Sequence, residues 1–188
     1  MGFLRQTLTP AHGQSTAGVQ NGRMTTLPEI PDAVSAALAA HSTLTLAYAD
    51  AKGPGACAVF YAWDPEAGAV YFLSSLTTRH GRALAQQPAG QPAGQGAGGA
   101  GARVAFTAQA DGQDWRTLTG LQGAGRCRRL DGEERAAAFR VYTARFPFTA
   151  GEDALAAALA RTDVWELRPE RLRLIDNTRG FGGRQEWP

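Results

Sequence analysis

The sequence is poor in the residues that build metal centres and disulfide frameworks. Its 188 residues include two cysteines and three histidines. They form neither a CxxC motif nor a cluster at metal-ligand spacing, which argues against a structural zinc site. Cys57 and Cys127 fall in predicted strands, so we expect two small buried side chains rather than a disulfide or redox pair. This cysteine usage suits a reducing compartment, and we expect a cytoplasmic protein.

Lysine and long apolar runs are also scarce. Lys52 is the only lysine, and the formal net charge is +2. Because the arginines form no basic stripe, nucleic acid is not an expected partner. The apolar runs are too short to cross a bilayer, so no membrane association is expected. The N-terminal sequence has no continuous apolar core and does not read as a secretory signal.

Composition divides the chain into a tail and one domain. Residues 1–26 are polar, rich in glycine and threonine, and without periodicity, which predicts a flexible N-terminal tail. Residues 27–188 are enough for a single domain with its own core. Within that domain, QPAGQPAGQGAGGAG at about 87–101 is of low complexity and holds no large side chain to anchor it. We expect a disordered loop there.

Most of the domain shows strand patterns. Apolar and polar residues alternate from Thr43 to Tyr48, as in a half-buried strand. ACAVFYAW at 56–63 is apolar throughout, which predicts a strand covered on both faces. Short helices are predicted around 31–41, from 131 to 146 and at 152–161. Further strands are predicted at 69–73, 103–109, 115–130, 164–167 and 172–175, the last two separated by a turn at 168–170. Hairpin connections between about six or seven strands predict a closed or partly closed antiparallel barrel.

The end of the third predicted strand carries the clearest chemical signal. The strand at 70–73 runs into hydroxyl side chains, then an arginine, a histidine and residues that can begin a helix. Hydroxyls, a guanidinium and free helix amides are the groups that bind a phosphate monoester without a metal. The pattern favours the phosphate of a mononucleotide such as FMN, and the alternative is an ordinary solvated turn. The residues concerned are Ser74, Ser75, Thr77, Thr78, Arg79 and His80.

Three segments taken in order resemble one known family. They are ACAVFYAWDPEAGAVYFLSSLTTRH, LTGLQGAGRCRRLDGEERAAAFRVYTARFPF and VWELRPERLRLIDNTRGFGGRQEW. They are similar to the FMN-binding split-barrel proteins related to pyridoxamine 5'-phosphate oxidase, and most similar to the YhbP-like branch. The resemblance implies a mainly β fold with short α-helices, a six- to seven-stranded antiparallel split β-barrel of the FMN-binding type. It also implies a homodimer with FMN at the subunit interface.

The resemblance also implies where the cofactor contacts the chain. The flavin ring would lie along the second strand, where Ala56 and Ala58 are small enough to let a flat ring approach. The phosphate would rest on the hydroxyl residues, and a C-terminal tryptophan, with Arg184 or Arg179, would lie near the flavin. The strand residues implied are Ala56, Cys57, Ala58, Val59 and Phe60; the phosphate ligands are Ser74, Ser75, Thr78, Arg79 and His80; the remaining contacts are Gln109, Leu121, Gln122 (from the partner subunit as one option) and Trp187.

Three functions follow from this resemblance. The first is an FMN-dependent oxidoreductase acting on a small-molecule substrate or electron donor. The oxidase's own C-terminal signature is not reproduced, so the substrate is left open. The second is a non-enzymatic FMN-binding protein. The third is a haem-binding split barrel, for which His41 or His80 would have to supply the axial ligand; a deazaflavin would also suit the scaffold.

Overall fold

The structure, a computed structural model, describes residues 28–86, 101–149 and 154–188. The predicted tail at 1–26 lies outside the described residues. So does the predicted loop at 87–101, apart from Gly101. Both therefore stay predictions.

The described chain contains seven strands and four α-helices. The strands are β1 (Thr43–Asp50), β2 (Gly53–Asp64), β3 (Ala69–Leu73), β4 (Ala102–Gln109), β5 (Thr119–Leu130), β6 (Val164–Asp176) and β7 (Arg184–Trp187). The helices are α1 (Asp32–Ala40), α2 (Arg79–Gln86), α3 (Gly132–Arg145) and α4 (Ala154–Ala160), with single 3-10 turns at Pro147–Thr149 and Asn177–Arg179. No helix among the described residues is long and apolar enough to cross a membrane.

The strands form one antiparallel sheet that closes on itself. Its order is β3-β2-β1-β4-β5-β6-β7, and β3 also pairs with β6, so six strands make a ring with β7 added at the edge of β6. Closure leaves few free strand edges, which protects a small β domain from edge-to-edge pairing. The predicted mainly β, split-barrel fold with short helices is confirmed.

Side-chain alternation fills the ring. On β1, Leu44, Leu46 and Tyr48 are buried, while the threonines and alanines between them face outwards. Phe72 stacks on Trp165 inside the ring, with ring centroids 6.3 Å apart. Helix α1 contributes Val34 and Leu38 to the same core. Both cysteines lie in described strands as free thiols; Cys127 is buried, as predicted, whereas Cys57 is half-buried.

The prediction for β2 is wrong in one respect. Its central residues are apolar on both faces, yet Ala56, Ala58 and Phe60 are exposed while Val59 and Tyr61 are buried. On the outer face, Ala56 and Ala58 are exposed and the Phe60 ring packs on Phe146 with centroids 5.5 Å apart. Ala62, farther along the same face, is buried against Tyr142 and Phe146, so the chain covers both faces only at this end of the strand.

Three other boundaries differ from the predictions. β5 begins at Thr119, since Trp115 to Leu118 belong to a turn whose Asp114 side chain accepts the Arg116 amide. The predicted turn at 168–170 does not break β6, because Pro169 lies at an irregularity where Gly125 opposes it. An imino residue, which donates no ladder hydrogen bond, is tolerated at such a bulge. The C-terminal tail was not predicted to pair, yet it forms β7.

Candidate functional site

The hydroxyl turn, residues 74–78 between β3 and α2, is fastened to the start of β6. The buried Trp165 indole Nε1 donates to the Ser74 carbonyl at 2.9 Å. The Ser74 amide donates to the Asp163 carbonyl at 3.1 Å, and the Leu76 amide donates to the Asp163 carboxylate at 3.2 Å. The backbone of the turn is therefore set by the barrel wall and does not depend on a ligand.

Thr78 begins helix α2 as its N-cap. Its hydroxyl accepts the Gly81 amide at 3.0 Å and donates to the Ser75 carbonyl at 2.8 Å, which joins turn and helix. A Cβ at Gly81 would lie 2.2 Å from the Ser75 carbonyl oxygen, so only glycine permits this approach. Within the described part of the chain, the first two helix amides, those of Arg79 and His80, donate to no protein acceptor. They are available to an anion.

Ser74 and His80 form the inner wall of the turn. Ser74 is buried, and its Oγ lies 2.6 Å from His80 Nε2 and 3.2 Å from Thr78 Oγ1. Burial lowers the pKa of His80. The imidazole is therefore neutral at neutral pH and contributes hydrogen bonding rather than charge.

Ser75 is half-buried. Its hydroxyl lies 2.9 Å from that of Thr77 and accepts the Thr77 amide at 3.1 Å, so it is engaged within the turn itself.

Arg79 connects the hydroxyl turn to the β1–β2 hairpin. Its Nε and Nη2 each donate to the Asp50 carboxylate at 2.8 Å, and Nη2 also reaches the Gly53 carbonyl at 3.3 Å. The hydrogen bonds from Arg79 lower the pKa of Asp50 to about 2, so the carboxylate is ionised at any ordinary pH. Arg79 Nη1 donates to no acceptor among the described residues. The guanidinium is thus held in place with one edge left for a second anion.

The five predicted flavin-contacting residues of β2 separate onto two faces. Ala56, Ala58 and Phe60 face outwards, whereas Val59 is buried and Cys57 packs against the core. Burial also raises the pKa of the Cys57 thiol, which keeps it protonated. A flat ring can approach only the outward residues and the backbone between them.

Gln109 and Gln122 are on the outer face but are not brought to β2. Ala58 pairs with Thr45, Thr45 with Thr107, and Thr107 with Gln122. Three strand spacings separate Ala58 from Gln122, or about 14 Å along a flat sheet. One subunit therefore does not assemble a ring site from both strands at once.

Trp187 does not lie with the other predicted residues. Its side chain is buried, and Nε1 donates to the carbonyls of Pro28 and Glu29 at 2.9 and 3.0 Å. It lines a separate cavity of about 610 Å³ near the start of α1, together with Trp63 and Arg168. The indole holds β7 against the residues that precede α1.

Sequence reasoning missed two carboxylates of the site. Asp50, which holds Arg79, and Asp163, which holds the hydroxyl turn, are 29 and 87 positions from the residues they bind. Nothing in local sequence could have linked them. The glycine in HGRAL was a readable signal, because glycine near a helix start often marks a close backbone approach.

The site as a whole can bind an anion but offers little protein acid–base chemistry. It supplies one held guanidinium, two free helix amides and hydroxyls, and the described residues contain no group of three or more side chains suited to hold a metal ion. Any redox chemistry would come from a bound cofactor.

Comparison with known proteins gives similar sequences and similar folds. No family model matches the chain. A UPF0306 protein of Klebsiella pneumoniae is 34% identical over 128 residues, which is 68% of this chain and 72% of that one. The UPF0306 protein YhbP of Escherichia fergusonii is 31% identical over 156 residues, covering 82% of this chain and 90% of that one.

Several solved structures share the fold. A haem-binding protein from Mycobacterium smegmatis has a TM-score of 0.57 and 26% identity, covering 84% of this chain but 58% of the other protein. HutZ, the haem storage protein of Vibrio cholerae, has a TM-score of 0.55 and 18% identity, covering 73% and 88%. An FAD-binding protein from Mesorhizobium loti has a TM-score of 0.52 and 18% identity, covering 76% and 91%. The last two show the fold alone.

Proposed function

This chain belongs to the UPF0306 family, and we propose that it is an FMN-binding flavoprotein, a homodimer that acts as an oxidoreductase on a small-molecule substrate or electron donor. The observation that carries the proposal is that Arg79 Nη1 and the two first amides of α2, all at the hydroxyl turn, have no acceptor among the described residues. This is the donor set that a phosphate monoester requires.

The position of Arg79 supports a flavin over a bare phosphate. The guanidinium touches Gly53, where β2 begins, and the outward Ala56 follows three residues later. Three strand residues span about 10 Å, which is comparable to an extended ribityl phosphate. A phosphate on the hydroxyl turn would therefore let the ring lie flat on Ala56 and Ala58, where no large side chain intervenes.

The flavin would supply hydride or electron transfer, and this chain would bind and orient it. The amides and guanidinium hold the phosphate, and the outward strand offers backbone groups to the ring edge. Because Gln122 is too far from β2 in its own subunit, a glutamine contact to the ring would come from the second subunit. The fold of an FAD-binding neighbour is consistent with a flavin.

The test compares ligands that differ only at the phosphate. Cofactor released from purified full-length protein is identified by mass spectrometry, and the stripped protein is titrated with FMN and with riboflavin by flavin fluorescence. We expect FMN to bind more tightly. Arg79→Ala should weaken FMN binding about ten- to a hundredfold, the range of a charge-assisted hydrogen bond, and leave riboflavin unchanged.

The matched control is Arg140→Ala, which removes an exposed arginine of α3 and should change neither affinity. Equal binding of FMN and riboflavin, or an Arg79→Ala variant with unchanged FMN affinity, would contradict the phosphate site. Steady oxidation of a nicotinamide donor by the holoprotein would distinguish the oxidoreductase from a passive flavin carrier.

Haem is the second candidate, favoured by the haem-binding neighbour and by one feature of this chain. His41 lines an open groove of about 430 Å³ with Thr43, Thr45 and Thr107 on the outer face. Burial lowers the pKa of His41, so its imidazole is neutral and able to ligate iron. An absorption band at about 400 nm rather than about 450 nm in the purified protein, lost in His41→Ala, would favour haem over flavin.

A further inference from the structure

The side chain of Arg82, the fourth residue of α2, is folded back to the hydroxyl turn. Its Nη1 donates to the carbonyl of Thr77, the residue before the N-cap Thr78. No carboxylate of the described residues pairs with this guanidinium, and its Nε and Nη2 donate to no acceptor among them. Arg82 is exposed. A positive charge therefore lies at the N-terminal end of α2 with most of its donors open to solvent.

This position is electrostatically unfavourable in the free protein. The N-terminal end of a helix carries about half a positive charge, so cations there destabilise the helix and anions stabilise it. The first turn of α2 contains no acidic side chain that could offset the guanidinium. The hydrogen bond to Thr77 fixes where the side chain lies, but a neutral donor would serve the carbonyl as well. A bound anion would relieve the repulsion.

The other two guanidinium groups beside the turn are already paired. Arg79 donates two hydrogen bonds of 2.8 Å to the Asp50 carboxylate. The Asp163 carboxylate, which also supports the turn, lies 3.6 Å from Arg129 Nη1. Of these three guanidinium groups, Arg82 is therefore the one whose charge no carboxylate of the described residues balances.

The remaining charge indicates which anion the turn would hold. The two paired guanidinium groups contribute no net charge, and His80 is neutral because burial lowers its pKa. What is left is the charge of Arg82 and about half a charge from the end of α2. A phosphate monoester carries about 1.5 to 2 negative charges at pH 7, whereas a phosphate diester or a carboxylate carries one. Without Arg82, the turn would offer too little charge for a dianion.

We propose that Arg82 is a specificity-determining residue of the hydroxyl turn, and that its charge selects a terminal phosphate dianion. Arg79, held by Asp50, orients the phosphate, and Arg82 balances its second charge. This inference rests on the proposed function, because it names the residue and the charge state by which the flavin phosphate would be recognised. It also predicts that FAD, whose phosphates are diesters, binds less tightly than FMN.

The test separates charge from hydrogen bonding with two variants of similar helix propensity. Arg82→Gln keeps a donor for the Thr77 carbonyl but removes the charge, and Arg82→Lys keeps the charge. Stripped full-length protein is titrated with FMN, FAD and riboflavin by flavin fluorescence. At low salt, Arg82→Gln should weaken FMN binding about five- to thirtyfold, as expected for one charge contact at a protein surface, and leave riboflavin unchanged. Arg82→Lys should retain most of the FMN affinity.

Three further measurements distinguish a charge for the ligand from a structural role. The FMN affinity of the wild type should fall as salt is raised from about 50 to about 500 mM, and it should fall less in Arg82→Gln, because exposed charges are screened. The preference for FMN over FAD should shrink in the same variant. In phosphate-free buffer, Arg82→Gln should melt no lower than the wild type, because the charge that it removes opposes the helix dipole.

A second probe tests Arg82 without a flavin. Phenylglyoxal modifies accessible guanidinium groups, and peptide mass spectrometry reports which arginine has reacted. Inorganic phosphate at about pH 8, where it is mostly a dianion, should slow the modification of Arg82, whereas acetate at the same ionic strength should not. The exposed Arg140 of α3 is the control and should react at the same rate in both salts.

The outcomes separate this inference from the proposed function. If the wild type prefers FMN over riboflavin but Arg82→Gln binds FMN equally well at low salt, the inference is overturned and the flavin site stands. If FMN and riboflavin bind equally but phosphate still protects Arg82, the anion site stands and the proposed function fails. Equal protection by phosphate and acetate, no protection by either, or an Arg82→Lys variant as weak as Arg82→Gln would overturn the selection by charge.

Discussion

Two arguments predict opposite effects of Gly81→Ala on the free energy of unfolding, and the sign of the measured change decides between them. Alanine in a helix is favoured over glycine by roughly 0.5–1 kcal/mol, so helix propensity alone predicts a more stable protein. The structure predicts the reverse, because the added Cβ would lie 2.2 Å from the Ser75 carbonyl oxygen and 2.9 Å from Thr78 Oγ1. Forcing an extra methyl into such a contact costs about 1–3 kcal/mol.

The expected net loss in the free energy of unfolding of Gly81→Ala is about 0.5–2 kcal/mol, from these two terms together. Urea unfolding followed by circular dichroism measures it. The matched control is Ala85→Gly, on the exposed side of the same helix, which should lose about 0.5–1 kcal/mol from propensity only.

Because α2 must move away from the hydroxyl turn, FMN affinity of Gly81→Ala should also fall about tenfold, even though Gly81 has no side chain to contact the ligand. A variant at least as stable as the wild type, with full FMN affinity, would refute the close contact and the rigid turn built on it.

Two further predictions concern the residues that support the turn. Trp165→Phe removes the indole donor that reaches the Ser74 carbonyl at 2.9 Å and leaves that buried oxygen unpaired, so the free energy of unfolding should fall by about 2–4 kcal/mol. A loss below about 1 kcal/mol in urea titration would contradict the stabilising role of this hydrogen bond. Burial lowers the pKa of His80 below 6.5, so the folded state takes up a proton less readily than the unfolded chain, and stability should fall as pH drops through about 6.5. Melting temperatures measured from about pH 8 to pH 5 should therefore decline less steeply for His80→Gln than for the wild type.

Local sequence was sufficient for most of the barrel. Period-two alternation in β1 and turn residues between short apolar runs indicated strands joined by hairpins, which form the β1–β2, β2–β3 and β4–β5 pairs, whereas the β1–β4 and β3–β6 pairings that close the ring join distant segments. Prediction from local sequence failed where contacts with distant residues override a local pattern. Pro169 reads as a turn, but Gly125 on the neighbouring strand makes room for it, and the strand continues.

The residues of the hydroxyl turn could be predicted from the sequence, but their arrangement could not. A run of hydroxyls before Arg79 is a local pattern, and the structure places it at a helix start as expected. The partner of the guanidinium is not local: Asp50 ends β1, and only the closing of the sheet brings it within 2.8 Å. Trp187 shows the opposite error, since a C-terminal position that looks free in sequence becomes a buried member of an edge strand.

The mismatch at β2 follows from what a sequence pattern reports. A strand that is apolar at every position is the pattern expected of a strand covered on both faces. The structure covers Val59 and Tyr61 with its own core, packs Phe60 on Phe146, and leaves Ala56 and Ala58 exposed. Polar side chains would be expected on a face that meets only solvent. Small apolar side chains instead allow a flat ring or another sheet to approach closely. The exposed alanines of β2 are therefore the part of the pattern that the chain's own core does not explain, and they are the reason to test this face for the proposed ligand.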